Sequence, residues 1–168
     1  MRKTEHKAIR RTATAFEILV IASLNGTVGL LPEFFGGRPI LLVSAALSVA
    51  ACEEVTASVI FGAICGALAD MLSSGGIGFY AFSLAICGYA IPTLLQSKFK
   101  PAPPAAILLI FCSVAAVIIA QYLLSAFSYG IIDSMVLFAR HGVSKIIFTF
   151  ICALPLYFLN RLITGGGK

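Results

Sequence analysis

Charge is what this sequence has least of. Of its 168 residues only 11% are Asp, Glu, Lys or Arg, against 60% hydrophobic. Tryptophan is absent, and the mean hydropathy is +1.01. A soluble domain of this length needs far more charged surface, so that class is excluded. Catalytic constellations are missing too. The two histidines, His6 and His141, stand far apart, and there is no HExxH, Walker loop, GxSxG or suitably spaced carboxylate pair. Nothing supports an enzyme, a cofactor or a metal site. The five cysteines, Cys52, Cys65, Cys87, Cys112 and Cys152, form no CxxC and lie in or beside apolar runs. That reads as packing rather than as a disulfide framework. No internal repeat is visible, so the inverted-repeat transporter plans gain no support.

What is present is a series of apolar runs, at 14–31, 39–52, 55–69, 77–95, 105–127 and 143–163. Backbone groups at lipid depth must bond within their own segment, so each run is predicted to be a helix. The fold class is therefore all-α, a polytopic bundle of six transmembrane helices. The basic arm 1–12 precedes it and a short tail, 165–168, follows. The arm is expected to meet anionic lipid heads rather than nucleic acid. Run 39–52 rises only about 21 Å at 1.5 Å per residue, short for a bilayer core. Glu53 and Glu54, between runs two and three, must reach water, which predicts a hairpin tip at the interface. With an inside N-terminus, nine of the twelve Lys and Arg face the cytoplasm. That satisfies the positive-inside rule and puts both termini in the cytoplasm.

The third run carries a ladder of small residues, Ser58, Gly62 and Gly66, which ends on Asp70. Spacing by four puts them on one helix face, and GxxxG lets a second backbone approach closely. The third helix, thin on every side, is expected at the centre of the bundle. Asp70 sits where the helix dipole is negative, so it needs compensation. It is predicted to accept hydrogen bonds from the start of the fourth helix, with Ser73 or Ser74 as local cap and Arg38 or Arg140 as ionic partner. Gly75, Gly76 and Gly78 provide the intervening turn. Asp70 is thus read as a structural latch. A proton or ion site is less favoured, because no second membrane carboxylate lies near it in sequence.

Other polar residues in the runs are weighed in the same way. Asn25 and Gln121 are expected to form an interhelical amide pair. Glu17 is expected to snorkel toward the headgroups or to meet Arg10 or Arg11. Pro92 and Pro155 should bend the fourth and sixth helices. The outer segment 128–142 is partly apolar: Ile131, Ile132, Met135, Val136 and Phe138 suit an interfacial, partner-facing stretch.

The stretch from Arg38 to Phe99 resembles the rod shape-determining protein MreD family. The likeness lies in Pro39 opening a short run, Gly62-x-x-x-Gly66-x-x-x-Asp70, the small-residue turn with Gly78, and the late Gly88-Tyr89. Glu53-Glu54 departs from the family pattern, where a small or Gly/Pro turn is more usual. The resemblance implies packing roles for Gly88 and Tyr89 and a non-enzymatic adaptor of the cell-elongation complex in the bacterial inner membrane. It implies direct binding to the bitopic scaffold MreC, and through it a link between MreB filaments and the synthases RodA and its transpeptidase partner. The family is also similar in fold to the S components of energy-coupling-factor transporters. A vitamin-binding subunit is therefore the alternative, with Gln121 and Tyr122 as its sparse outer polar groups.

Overall fold

In hydrocarbon a backbone finds hydrogen-bond partners only within its own helix, and this apolar chain is folded accordingly. The computed structural model describes residues 2–26, 40–73, 78–97, 103–129 and 138–163. They form six α-helices: α1 Arg2–Gly26, α2 Leu41–Cys52, α3 Val55–Leu72, α4 Phe79–Ser97, α5 Pro103–Tyr129 and α6 Val143–Ile163. A π-helical turn, Phe138–Gly142, leads straight into α6. Among the described residues four helical stretches are long and apolar enough to cross a membrane: α3, α4, Pro104–Leu124 of α5, and α6. The protein is a multi-pass membrane protein. Helix α1 begins at Arg2, so the basic arm is a continuation of the first helix and not a separate segment. Pro92 and Pro155 both lie inside continuous helices.

The centre of the bundle is α2, not α3 as the small-residue ladder suggested. Nine consecutive residues of α2, Leu42–Ala50, are buried, and α1, α3, α4, α5 and α6 all pack on it. Its composition explains the position: alanines and serines alternate with Leu and Val, so every face is either small or apolar. Helix α3 buries one side only and exposes Ile60, Ile64, Met71 and Leu72.

The break between α2 and α3 is two residues long. The Glu53 N–H donates to the Val49 carbonyl at 2.9 Å and closes α2, while Ser58 N–H reaches the Glu54 carbonyl at 2.9 Å and opens α3. Glu54 is exposed, whereas Glu53 is buried, so only one of the two glutamates reaches the surface as expected.

Candidate functional site

Helices α3 and α4 run antiparallel and form the most extensive pairing in the bundle. Their register can be read from three glycines. A Cβ added at Gly62 would stand 2.6 Å from the Leu84 carbonyl oxygen, and one at Gly88 2.6 Å from the Ser58 carbonyl oxygen. One at Gly66 would overlap the Tyr80 carbonyl and the Ala81 Cα. The seam therefore pairs Ser58 with Gly88, Gly62 with Leu84–Ala85, and Gly66 with Tyr80–Ala81. Backbone meets backbone along the whole line, which a side chain of any size at these glycines would prevent.

Asp70 closes the seam. Its Oδ1 accepts from the Tyr80 N–H and its Oδ2 from the Ala81 N–H, each at 3.0 Å. These are unpaired donors in the first turn of α4, where the helix dipole also favours a negative charge. A carboxylate badly placed on its own helix is thus well placed on the next one. Ser73 Oγ donates to the Asp70 carbonyl at 3.4 Å, and the Ser73 N–H closes α3 on the Ala69 carbonyl at 2.9 Å. Gly78, just before α4, has φ +94°, with nothing within 4 Å of where its Cβ would be. Glycine is needed there for the backbone alone. Ser74, Gly75, Gly76 and Arg38 lie outside the described residues, as does the side chain of Arg140.

Tyr89 does not join this seam. Successive helix residues point about 100° apart, so with Gly88 turned onto α3 the Tyr89 ring faces outward and is 59% exposed. Its expected packing role is corrected accordingly. Ser58 is wholly buried, with its carbonyl against Gly88; among the described residues its hydroxyl has no hydrogen-bond partner.

Two polar contacts that sequence reasoning missed hold the other helices. Ser44 Oγ donates to the Thr149 carbonyl at 2.7 Å. Ser48 Oγ lies 2.7 Å from the Ser44 carbonyl and 3.1 Å from the Ala153 carbonyl. They tie α2 to α6, and the signal was the i, i+4 pair of serines inside an otherwise apolar run. Glu17 is buried in the bundle rather than snorkelling: Asn160 Nδ2 donates to its Oε1 at 3.0 Å, and its buried Oε2 has no partner among the described residues. The reason is rotational. Glu17 shares a helix face with Thr14, Ile18 and Ile21, all buried against the bundle.

Gln121 Oε1 accepts from Lys145 Nζ at 3.3 Å, across α5 and α6. The side chain of Asn25, its expected partner, lies outside the described residues. Phe138 is half-buried and meets Tyr122 edge-on at 5.2 Å between ring centroids. Ile131, Ile132, Met135 and Val136 lie outside the described residues. Among the described residues no group of three or more His, Cys, Asp or Glu could hold a metal ion.

Among known proteins, the chain matches a family model described as rod shape-determining protein MreD over residues 9–164. No curated protein and no solved structure matches.

Proposed function

The chain belongs to the rod shape-determining protein MreD family, and from that premise we propose that it is the adaptor that holds the bitopic scaffold MreC in the bacterial inner membrane. Family membership makes it a non-enzymatic membrane protein of the machinery that determines rod shape. The rest is our reading. All six helices cross the membrane, α1 and α2 included, with both termini in the cytoplasm, because nine of the twelve Lys and Arg then face inward. The protein binds MreC directly. Through MreC it helps to couple MreB filaments to RodA and its transpeptidase partner. The outer apolar residues Ile131, Ile132, Met135 and Val136 serve the juxtamembrane part of MreC.

The observation that carries this reading is the seam closed by Asp70. It fixes α3 against α4 by main-chain contact and two hydrogen bonds, so the bundle offers a partner one rigid surface. A preformed surface spares the partner the cost of ordering it. A vitamin-binding subunit would instead need convergent polar groups in its outer half. Two of the outer groups considered for that task, Gln121 and Tyr122, are engaged with Lys145 and Phe138.

Coexpression with MreC, extraction in mild detergent and purification through a tag on this chain test the proposal. A stable complex that needs no added small molecule is expected. Purification with an energy-coupling module and a tightly held small molecule would overturn it. Reporter fusions after Lys168 test the topology, with a cytoplasmic signal expected.

A further inference from the structure

Helix α4 spans Phe79–Ser97, and Tyr89 stands near its middle. At 1.5 Å per residue, about 15 Å separates it from the first residue of the helix and about 12 Å from the last. A tyrosine side chain is shorter than either distance, so its hydroxyl cannot reach the headgroups. Membrane tyrosines ordinarily gather at the interfaces for that reason. The Tyr89 ring is nonetheless 59% exposed on the outside of the bundle, and among the described residues its main-chain carbonyl, not its hydroxyl, is hydrogen-bonded. Tyr80 and Tyr157, by contrast, are buried.

Tyr89 is not alone on that face. Phe82, Ile86, Tyr89, Thr93 and Gln96 follow one another at spacings of four and three, the repeat of a helix–helix seam. Phe82, Ile86 and Gln96 are exposed and Thr93 is half-buried. Thr93 meets its own need by donating to the Tyr89 carbonyl at 2.6 Å, and Gln96 stands one residue from the helix end, which leaves the phenol as the unmet donor at mid-membrane. Acyl chains provide no acceptor, and a polar group left unpaired in hydrocarbon is costly.

We propose that this face of α4 is the docking surface for a single transmembrane helix of a partner protein, which shows small side chains at heptad spacing and accepts a hydrogen bond from Tyr89 at mid-membrane. A second copy of this chain fits less well. A symmetric pairing about the membrane normal would set Phe82, Ile86 and Tyr89 against themselves, large on large, with no holes for the knobs. The inference rests on the proposed adaptor role, and MreC is the single-span partner to be tested.

The experiment places a photo-crosslinking amino acid at Phe82, at Ile86 and, as controls on other lipid-exposed faces, at Leu108 and Ile151, in full-length chain coexpressed with MreC. Crosslinks to MreC from the two α4 positions and not from the controls are expected. In parallel, Tyr89→Phe removes only the hydroxyl and should weaken capture of MreC about three- to tenfold while leaving thermal stability unchanged. Crosslinks from Leu108 or Ile151 alone would overturn the α4 face but leave the adaptor reading intact. So would a crosslinked homodimer through α4. Unchanged capture by Tyr89→Phe would overturn the hydrogen bond. Failure of MreC to copurify with the unmodified chain would instead remove the adaptor reading itself.

Discussion

The carboxylate of Asp70 and the backbone N–H of Ala81 lie 3.0 Å apart, although the two residues stand eleven positions apart in the sequence. Together with the matching bond from Tyr80, this makes an acid on one helix the N-terminal cap of the next. Hydrogen bonds to a charged acceptor contribute about 1.5–3 kcal/mol each. Both bonds are lost in Asp70→Ala, which should therefore destabilise the bundle by about 3–6 kcal/mol. Asp70→Asn keeps one acceptor but turns an amide N–H toward a backbone N–H, so it should fall between Ala and the parent. Thermal unfolding in detergent, followed by helical circular dichroism, should rank the three in that order. An Asn variant as stable as the parent would show that charge plays no part in the cap.

Glycine is required at Gly66 and Gly78 for different reasons, and alanine separates them. At Gly66 a methyl group collides with the Tyr80 carbonyl and the Ala81 Cα, which are main-chain atoms that cannot rotate away. Gly66→Ala should force α3 and α4 apart and lower the yield of folded protein sharply. At Gly78 there is open space and only the positive φ matters, so Gly78→Ala should cost about 1–2 kcal/mol and still fold. Size-exclusion profiles of the two variants in the same detergent should differ: Gly66→Ala aggregated, Gly78→Ala monodisperse. Equal behaviour would mean that the seam is looser than its backbone contacts indicate.

How much of this could be read in the sequence depends on the kind of interaction. The ladder from Ser58 to Asp70 was legible because spacing by four survives any tertiary context once the helix forms. The latch was legible because a carboxylate at a helix C-terminus needs donors, and the next helix start supplied them. The ends of α2, α3, α4, α5 and α6 fall within a few residues of the apolar runs. The centre of the bundle was not legible. Thinness marks a helix that can be approached closely but does not say from how many sides: α3 packs on α1, α2 and α4 and leaves a face exposed, while five helices pack on α2. The direction of Glu17 was equally hidden, because its partner Asn160 is 143 residues away.

Helix α2 should be the least tolerant of added volume. Ser48 is fully buried, with its hydroxyl shared between carbonyls of its own helix and of α6. Ser48→Ala removes a hydroxyl whose partners are carbonyls that keep other bonds, and intramembrane hydrogen bonds average about 0.6 kcal/mol. Its effect should be small. Ser48→Leu adds three carbons at a fully buried position between α2 and α6 and should abolish folding. A folded Leu variant, judged by resistance of the bundle to limited proteolysis, would place Ser48 at a looser contact than its burial indicates.

The pairing of Glu17 with Asn160 gives a prediction in which two changes are milder than one. Asn160 supplies the bond to Oε1, and Oε2 has none among the described residues. Asn160→Leu would strip the remaining donor from a buried carboxyl group, and a buried polar group left unsatisfied costs about 1–3 kcal/mol, more where it is charged. Glu17→Leu alone should cost less, since Asn160 Nδ2 keeps the Leu156 carbonyl at 3.1 Å. The double variant buries two apolar side chains between α1 and α6 and should recover most of the stability lost by Asn160→Leu. Thermal unfolding of the four proteins forms a double-mutant cycle. A double variant less stable than Asn160→Leu would show that Glu17 is held by contacts other than Asn160, and that the α1–α6 junction depends on its charge.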